Sequence, residues 1–420
     1  MTQQRNSNLL PIIIIGALFF IFGFVTWLNG TLIPYLKIAC ELNNFYALLV
    51  AFAFYISYFV MALPSSKILQ FTGFKNGMVL GLLVMAAGAL VFIPAAQSRA
   101  YPLFLTGLFI IGTGLSILQT ASNPYITILG PIESAAKRIS IMGIANKVAG
   151  VLAPLVLGAV ILADAGTLEA DLAQLDDAQR ALRLDELASR VIGPYSLMAA
   201  VLAGLALMVY FSPLKDVQPE EEASEAGAEH AHKTSVFQFP NLVLGVVAIF
   251  LYVGAEVIAG DTIGNYGRSQ GISLETAKNF TSYTLSAMVI GYILGILAIP
   301  RWISQEKALS WSAIIGILFS LLIVSTSGYT SVLFIALLGL ANALMWPAIW
   351  PLAIKGLGRF TKTGSALLIM GIAGGAILPL VYGKLADIPS IGPRQAYWVL
   401  IPCYIFIWYY SVKGHRNTDN

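Results

Sequence analysis

Charge is what this 420-residue chain has least of: Asp, Glu, Lys and Arg make up 11% of it, against 58% for apolar residues. A soluble domain carries roughly 25% charged side chains, so the shortage excludes an ordinary water-soluble globule. Cysteine is nearly missing. Cys40 and Cys403 are the only two, predicted at opposite faces of a bilayer, which excludes a disulfide framework and a thiolate metal cluster. His230, His232 and His415 all fall in hydrophilic segments, leaving zinc chemistry without a ligand set. The net charge of +3 is small and its basic residues are dispersed along loop edges, so nucleic acid is not an expected partner.

What the chain has instead is long apolar runs. Its mean hydropathy is +0.79. Runs of about 18 or more apolar residues suffice to cross roughly 30 Å of hydrocarbon as helices, and they occur near 10–36, 45–66, 77–97, 101–129, 139–163, 192–212, 238–266, 279–299, 308–326, 330–354, 363–383 and 395–412. The expected fold is an all-α membrane protein with twelve spans. The first run is too long for a cleaved signal peptide and is expected to remain as span one. If the amino terminus is cytoplasmic, inside segments hold 14 Lys and Arg against 9 outside; Lys147 is the remaining one of 24. Removing the two long loops, with two inside and three outside, leaves 12 against 6. The positive-inside rule is read on short loops, so both termini are expected in the cytoplasm of a bacterial inner membrane.

The acidic run from Gln218 to His232 separates two sets of six spans. The expected domains are therefore a bundle at 1–212, a poorly ordered cytoplasmic linker at 213–237 and a second bundle at 238–420. A second hydrophilic segment, 164–191, spaces Leu168, Leu172, Leu175, Ala178 and Leu182 as in a short amphipathic helix, expected to cap the outer surface. The halves resemble each other. A shift of 225 residues aligns Leu108, Phe109, Ile110, Gly114 and Leu115 with Leu333, Phe334, Ile335, Gly339 and Leu340. A shift of 231 aligns Thr31 and Tyr35 with Thr262 and Tyr266, and sets Gly30 opposite Asp261. Duplication of this kind is common in transporters whose site lies between the repeats.

Within the twelve runs only Lys147, Glu256 and Asp261 are charged. A charge at the centre of a bilayer costs about 3 kcal/mol or more, so such residues face a polar cavity or a partner and are functional candidates. Span seven contains Gly254, Gly260, Gly264 and Gly267, which weaken a helix already carrying two carboxylates. Asp261 and Asn265 share a face, whereas Glu256 lies about 140° from Asp261 on an ideal helix, so both acids meet one ligand only if the helix is distorted. Asp261 could instead lie at headgroup level. Lys147 could snorkel toward the basic pair Lys137 and Arg138, or reach inward to pair with a carboxylate of the other half. Asn29, Gln119, Asn123, Asn146, Asn265, Asn279 and Asn342 add amides able to bind a neutral polyhydroxylated solute, and Trp27, Tyr55, Tyr58, Trp346 and Trp350 add flat faces for a sugar ring. Each amide could equally join helices, and the aromatics could be interface belts.

The segments Phe52-Ala-Phe-Tyr55-Ile-Ser-Tyr58-Phe and Leu118-Gln119-Thr-Ala-Ser-Asn123-Pro124-Tyr-Ile-Thr-Ile-Leu-Gly130-Pro131 resemble the second and fourth helices of the fucose/glucose/galactose branch of the major facilitator superfamily. Tyr252-Val-Gly254-Ala-Glu256 and the glycine-rich stretch from Gly364 to Gly383 match its second half, while the superfamily's loop signature is degraded here to Lys67-Ile-Leu-Gln-Phe-Thr-Gly73-Phe-Lys75. The resemblance implies two pseudo-symmetric six-helix bundles and a sugar symporter working by alternating access. In the fucose/proton members an Asp follows the Asn corresponding to Asn29 and a Glu replaces Gln119; here Gly30 and Gln119 cannot titrate. Two routes remain. Coupling could move to Asp261, with Glu256 and Lys147 as partners and with Asp261, Thr262 and Asn265 offering oxygens to a hard cation, Na+ being favoured over H+. Alternatively the carrier is uncoupled, with Lys147 as a permanent charge.

The expected function is import of glucose, galactose, mannose or fucose by a monomer in the lipid bilayer, with no cofactor beyond the coupling cation and no metal. The expected sugar contacts are Asn29, Gln119, Asn123, Asn146, Lys147, Glu256, Asn265, Asn342 and Trp346, and the expected ion-coupling groups are Asp261, Glu256, Lys147 and Thr262. An integral-membrane enzyme or a nutrient sensor on a transporter scaffold are the rivals. The first would need a nucleophile or metal cluster and the second a signalling domain, and the sequence offers little room for either.

Overall fold

The computed structural model describes residues 9–128, 135–214, 234–299, 301–357 and 360–416, and among these there is helix and turn but no strand. Most of the acidic linker therefore lies outside the described residues. Helix occupies each of the twelve expected positions: α1 Leu9–Trp27 with α2 Asn29–Ala39, α3 Leu49–Gln97, α4 Tyr101–Ile128, α5 Ala135–Ile161 and α6 Ile192–Phe211 in the first half. The second half holds α7 Pro240–Asp261 with α8 Ile263–Ser269, α9 Phe280–Ala298, α10 Gln305–Ser325, α11 Gly328–Ala343 with α12 Met345–Ile354, α13 Thr361–Met370 with α14 Gly374–Ala386, and α15 Leu400–Tyr409. Ten segments among the described residues are long and apolar enough to cross a membrane. One of these, α3, runs for 49 residues. At about 1.5 Å per residue it is roughly twice the thickness of a hydrocarbon core, long enough for the two expected runs at 45–66 and 77–97. Between them stands Gly73, whose φ of 71° and ψ of 178° a side chain would oppose. The last expected span is helical in three consecutive pieces, Ala396–Val399, α15 and Tyr410–Gly414.

Helices in lipid gain little from hydrophobic exclusion and associate through close packing. The α3–α4 contact uses that means: a Cβ on Gly81 would stand 2.7 Å from the Gly114 carbonyl oxygen, and one on Gly114 would stand 2.5 Å from that of Gly81. Two long seams join the halves, α5 against α9 and α3 against α14. In the expected repeat, spans two and eight are counterparts, as are five and eleven. Exchanging the halves therefore turns one seam into the other.

At the end bearing the 164–191 segment the halves are tied by polar contacts. The Asp387 carboxylate, beyond α14, accepts hydrogen bonds from the Asn44 backbone N–H at 3.1 Å, the Asn44 side-chain amide at 2.7 Å and the Phe45 N–H at 2.8 Å. Arg268 pairs with Glu169 across the same end, and the Lys278 ammonium donates to the Leu162 carbonyl at 3.1 Å. Charge-assisted bonds of the Asp387 kind contribute about 1.5–3 kcal/mol. Asp387→Ala is accordingly expected to speed hydrogen exchange of the amides around Asn44–Leu48 by about tenfold or more, since each 1.4 kcal/mol is one decade. Exchange unchanged in that segment by mass spectrometry would mean the contact contributes nothing.

The 164–191 segment forms Leu168–Gln174 and Asp177–Ser189, two helices rather than one. Leu175 is extended and Asp176 caps the second helix by accepting from Gln179 N–H at 2.8 Å, which resets the helical phase. The buried stripe is consequently Leu168, Leu172, Leu184 and Leu187, while Leu182, expected in the stripe, points outward.

Candidate functional site

Span seven is interrupted where its glycines predict weakness. The helix α7 ends at Asp261, Thr262 is its cap, and α8 continues from Ile263. Span one is interrupted at Leu28, within a few residues of the repeat-related position. Discontinuous helices of this kind free backbone groups that neighbours must satisfy. Span eight supplies the donors here: the Thr281 hydroxyl donates to the Gly260 carbonyl at 2.8 Å and the Thr284 hydroxyl to that of Ala259 at 3.3 Å. Thr281 also explains Gly30, since a Cβ at that residue would lie 2.3 Å from its hydroxyl oxygen. Sequence reasoning passed over both threonines, although their i, i+3 spacing on an apolar helix was the available signal.

Immediately before the break stands a buried charge pair. Lys147 Nζ, from α5, lies 2.9 Å from Glu256 Oε1, from α7, and each residue is 8% exposed. The pair thus joins the two halves, and Lys147 reaches inward rather than snorkelling to a surface. Tyr55, Tyr252 and Tyr292 stand within reach of the Glu256 charge. The ammonium also sits 4.9 Å from the centre of the Trp27 ring. Asp261 differs from both. It is fully buried, and among the described residues neither carboxylate oxygen has a hydrogen-bond partner.

Of the oxygens expected to receive a cation with Asp261, one is already committed to other partners. The Thr262 hydroxyl is engaged elsewhere, donating to the Ile258 carbonyl at 2.6 Å and meeting the Tyr397 hydroxyl at 2.7 Å. Asn265 lines a small cavity together with Asn44, Leu48, Thr262, Tyr266 and Tyr382, a wall that Asp261 does not share.

The remaining expected site residues divide. Asn29 is 1% exposed, and among the described residues both polar atoms of its side chain lack hydrogen-bond partners. Asn146 donates to the Phe19 carbonyl at 3.3 Å and so joins α5 to α1. Asn342 accepts from the Tyr404 hydroxyl at 2.9 Å, which ties it to the last span, while its amide nitrogen has no partner among the described residues. Trp346 stacks on Trp350 with ring centres 5.3 Å apart and stands 6.5 Å from Tyr252. Gln119 is half-buried. The side chain of Asn123 lies outside the described residues. Among the described residues no cluster of three or more His, Cys, Asp or Glu could hold a metal ion.

Comparison with known proteins agrees with this architecture. The sequence pattern of the Major Facilitator Superfamily matches residues 15–379. The chain is 38% identical over 419 residues to the glucose/galactose transporter of Brucella abortus biovar 1 (strain 9-941), covering 99% of this chain and 96% of that one. It is 29% identical over 423 residues to the L-fucose-proton symporter of Escherichia coli (strain K12), covering 99% and 96%. Among solved structures, the transporter FucP in its outward conformation superposes with a TM-score of 0.74 at 28% identity, covering 96% of this chain and 98% of that one.

Proposed function

Because this chain belongs to the Major Facilitator Superfamily, we propose that it imports a hexose of the glucose and galactose class across a bacterial inner membrane by proton-driven alternating access. It is a multi-pass membrane protein and, like its full-length relatives, a sugar transporter rather than an enzyme. The observation that carries the hexose reading is the 38% identity, over nearly the whole chain, to a protein named a glucose/galactose transporter. A monomer with both termini in the cytoplasm is part of the proposal.

Protons replace sodium as the favoured coupling ion for a chemical reason. A sodium ion needs several oxygens around it, and the Thr262 hydroxyl is already committed to the Ile258 carbonyl and the Tyr397 hydroxyl. A carboxyl group buried without donors is instead accommodated as a neutral acid, which requires a proton rather than a cage. The relatives named as fucose symporters are proton-coupled, which supports the same direction. In this reading Asp261 takes a proton while the outer end is open, the halves close over sugar and acid together, and the Lys147–Glu256 pair reforms between them as the inner end opens.

The test is uptake of labelled glucose and galactose into proteoliposomes under separately imposed proton and sodium gradients. Accumulation above equilibrium is expected with the proton gradient alone. Accumulation with sodium alone would overturn the coupling, equilibration without accumulation under either gradient would favour a facilitator, and no flux of any hexose would overturn the substrate class.

A further inference from the structure

Trp27 was expected to offer a flat face to the sugar, and the structure surrounds it with protein instead. It is 2% exposed. A Cβ on Gly150 of α5 would lie 2.5 Å from its Cδ1, and one on Gly260 of α7 would lie 2.4 Å from its Cζ3. The indole is thus held between one glycine from each half. With Leu285, Met288, Tyr292 and Ala343 of the second half, and Ile144 and Val151 beside it, Trp27 forms a cluster separate from the main core. Nothing in this packing leaves a face for a ligand.

One face does meet a charge. Lys147 and Gly150 are three apart on α5 and so share a side, and the ammonium lies over the indole at 4.9 Å from its centre. A lysine head on a four-carbon stem is mobile, and an apolar helix invites it to extend toward the nearer surface. The negative face of an aromatic ring attracts a cation, most strongly when both are away from water. Stacking on Trp27 therefore favours the rotamer that brings Nζ to 2.9 Å from Glu256.

We infer that Trp27 is a positioning residue, holding the Lys147 ammonium on the Glu256 carboxylate when the halves are closed and giving up that role when Gly260 withdraws. The inference rests on the transport reading for its consequence but not for its geometry. It separates two functions that volume alone would confuse: filling the gap between Gly150 and Gly260, which any large apolar side chain does in part, and presenting a π face to a cation.

The experiment compares Trp27→Leu with Trp27→Phe in proteoliposomes by hexose counterflow, and measures thermal midpoints of both variants in wild-type and Lys147→Met/Glu256→Gln backgrounds. Trp27→Leu is expected to slow counterflow about tenfold, with Trp27→Phe restoring most of it, because the ring face survives in the second variant. The stability advantage of Trp27→Phe over Trp27→Leu should be larger beside the charge pair than in the neutral background, where only the difference in volume remains. Equal counterflow for the two variants, or the same difference in midpoint in both backgrounds, would overturn the inference. Should Trp27→Leu not fold, Trp27→Met takes its place. Folding of either only in the neutral background supports the role, and failure of both in each background makes Trp27 a structural plug and overturns it. Absence of hexose counterflow in the wild type would instead sink the transport reading, and the midpoints would still judge Trp27.

Discussion

Asp261→Asn is expected to abolish proton-driven accumulation while leaving exchange of labelled for unlabelled hexose. The amide matches the carboxyl group in shape and can fill the same site, but it cannot carry a proton from one side to the other. With one proton per sugar, a gradient of one pH unit supplies about 1.4 kcal/mol and sustains roughly tenfold accumulation. In the variant that ratio should fall to one. The same substitution should leave the fold intact, because it removes a carboxylate that is buried with no hydrogen-bond partner among the described residues. Accumulation maintained by Asp261→Asn would remove this residue from coupling. Loss of exchange together with accumulation would instead assign Asp261 to sugar binding or to closure of the halves.

How far the sequence revealed this site follows from what kind of signal each residue gave. Lys147, Glu256 and Asp261 stand out because a charge in an apolar run needs a reason, and the structure brings the first two together from opposite halves. The span boundaries are legible for the same thermodynamic cause, since backbone polar groups in lipid must be satisfied by helix. The fine geometry was not. The face shared by Asp261 and Asn265 presumed a continuous helix, whereas the structure ends α7 at Asp261 and starts α8 at Ile263. The glycines announced weakness without saying at which peptide the helix would part. Asn342 and Asn146 read as solute ligands by composition, yet they hydrogen-bond to Tyr404 and to the Phe19 carbonyl. An amide gives the same sequence signal in either role. Trp27 is the clearest case, because its aromatic face was visible while its occupant, a lysine 120 residues away in sequence, depended on packing between the spans.

The second large effect concerns the charge pair itself. Removing one member of a buried ion pair leaves the other without compensation and costs about 3–5 kcal/mol, whereas replacing both by neutral groups is often close to neutral. Lys147→Met and Glu256→Gln alone should therefore each lower the thermal midpoint strongly, and Lys147→Met/Glu256→Gln should recover most of the loss. Transport should not follow stability. The pair spans the halves, so it favours the arrangement in which α5 and α7 meet and must be broken when they part. Without it the closed form loses a contact that is specific to that form, and the two orientations no longer exchange at balanced rates. The double variant is thus expected to keep most of the wild-type stability, to bind sugar, and to show net uptake reduced by about tenfold, the effect of shifting the balance between the two orientations by roughly 1.4 kcal/mol. Single variants as stable as the wild type would mean that the pair is solvated in the membrane and contributes little. Full uptake by the double variant would mean that the charges serve assembly of the two bundles and take no part in their movement.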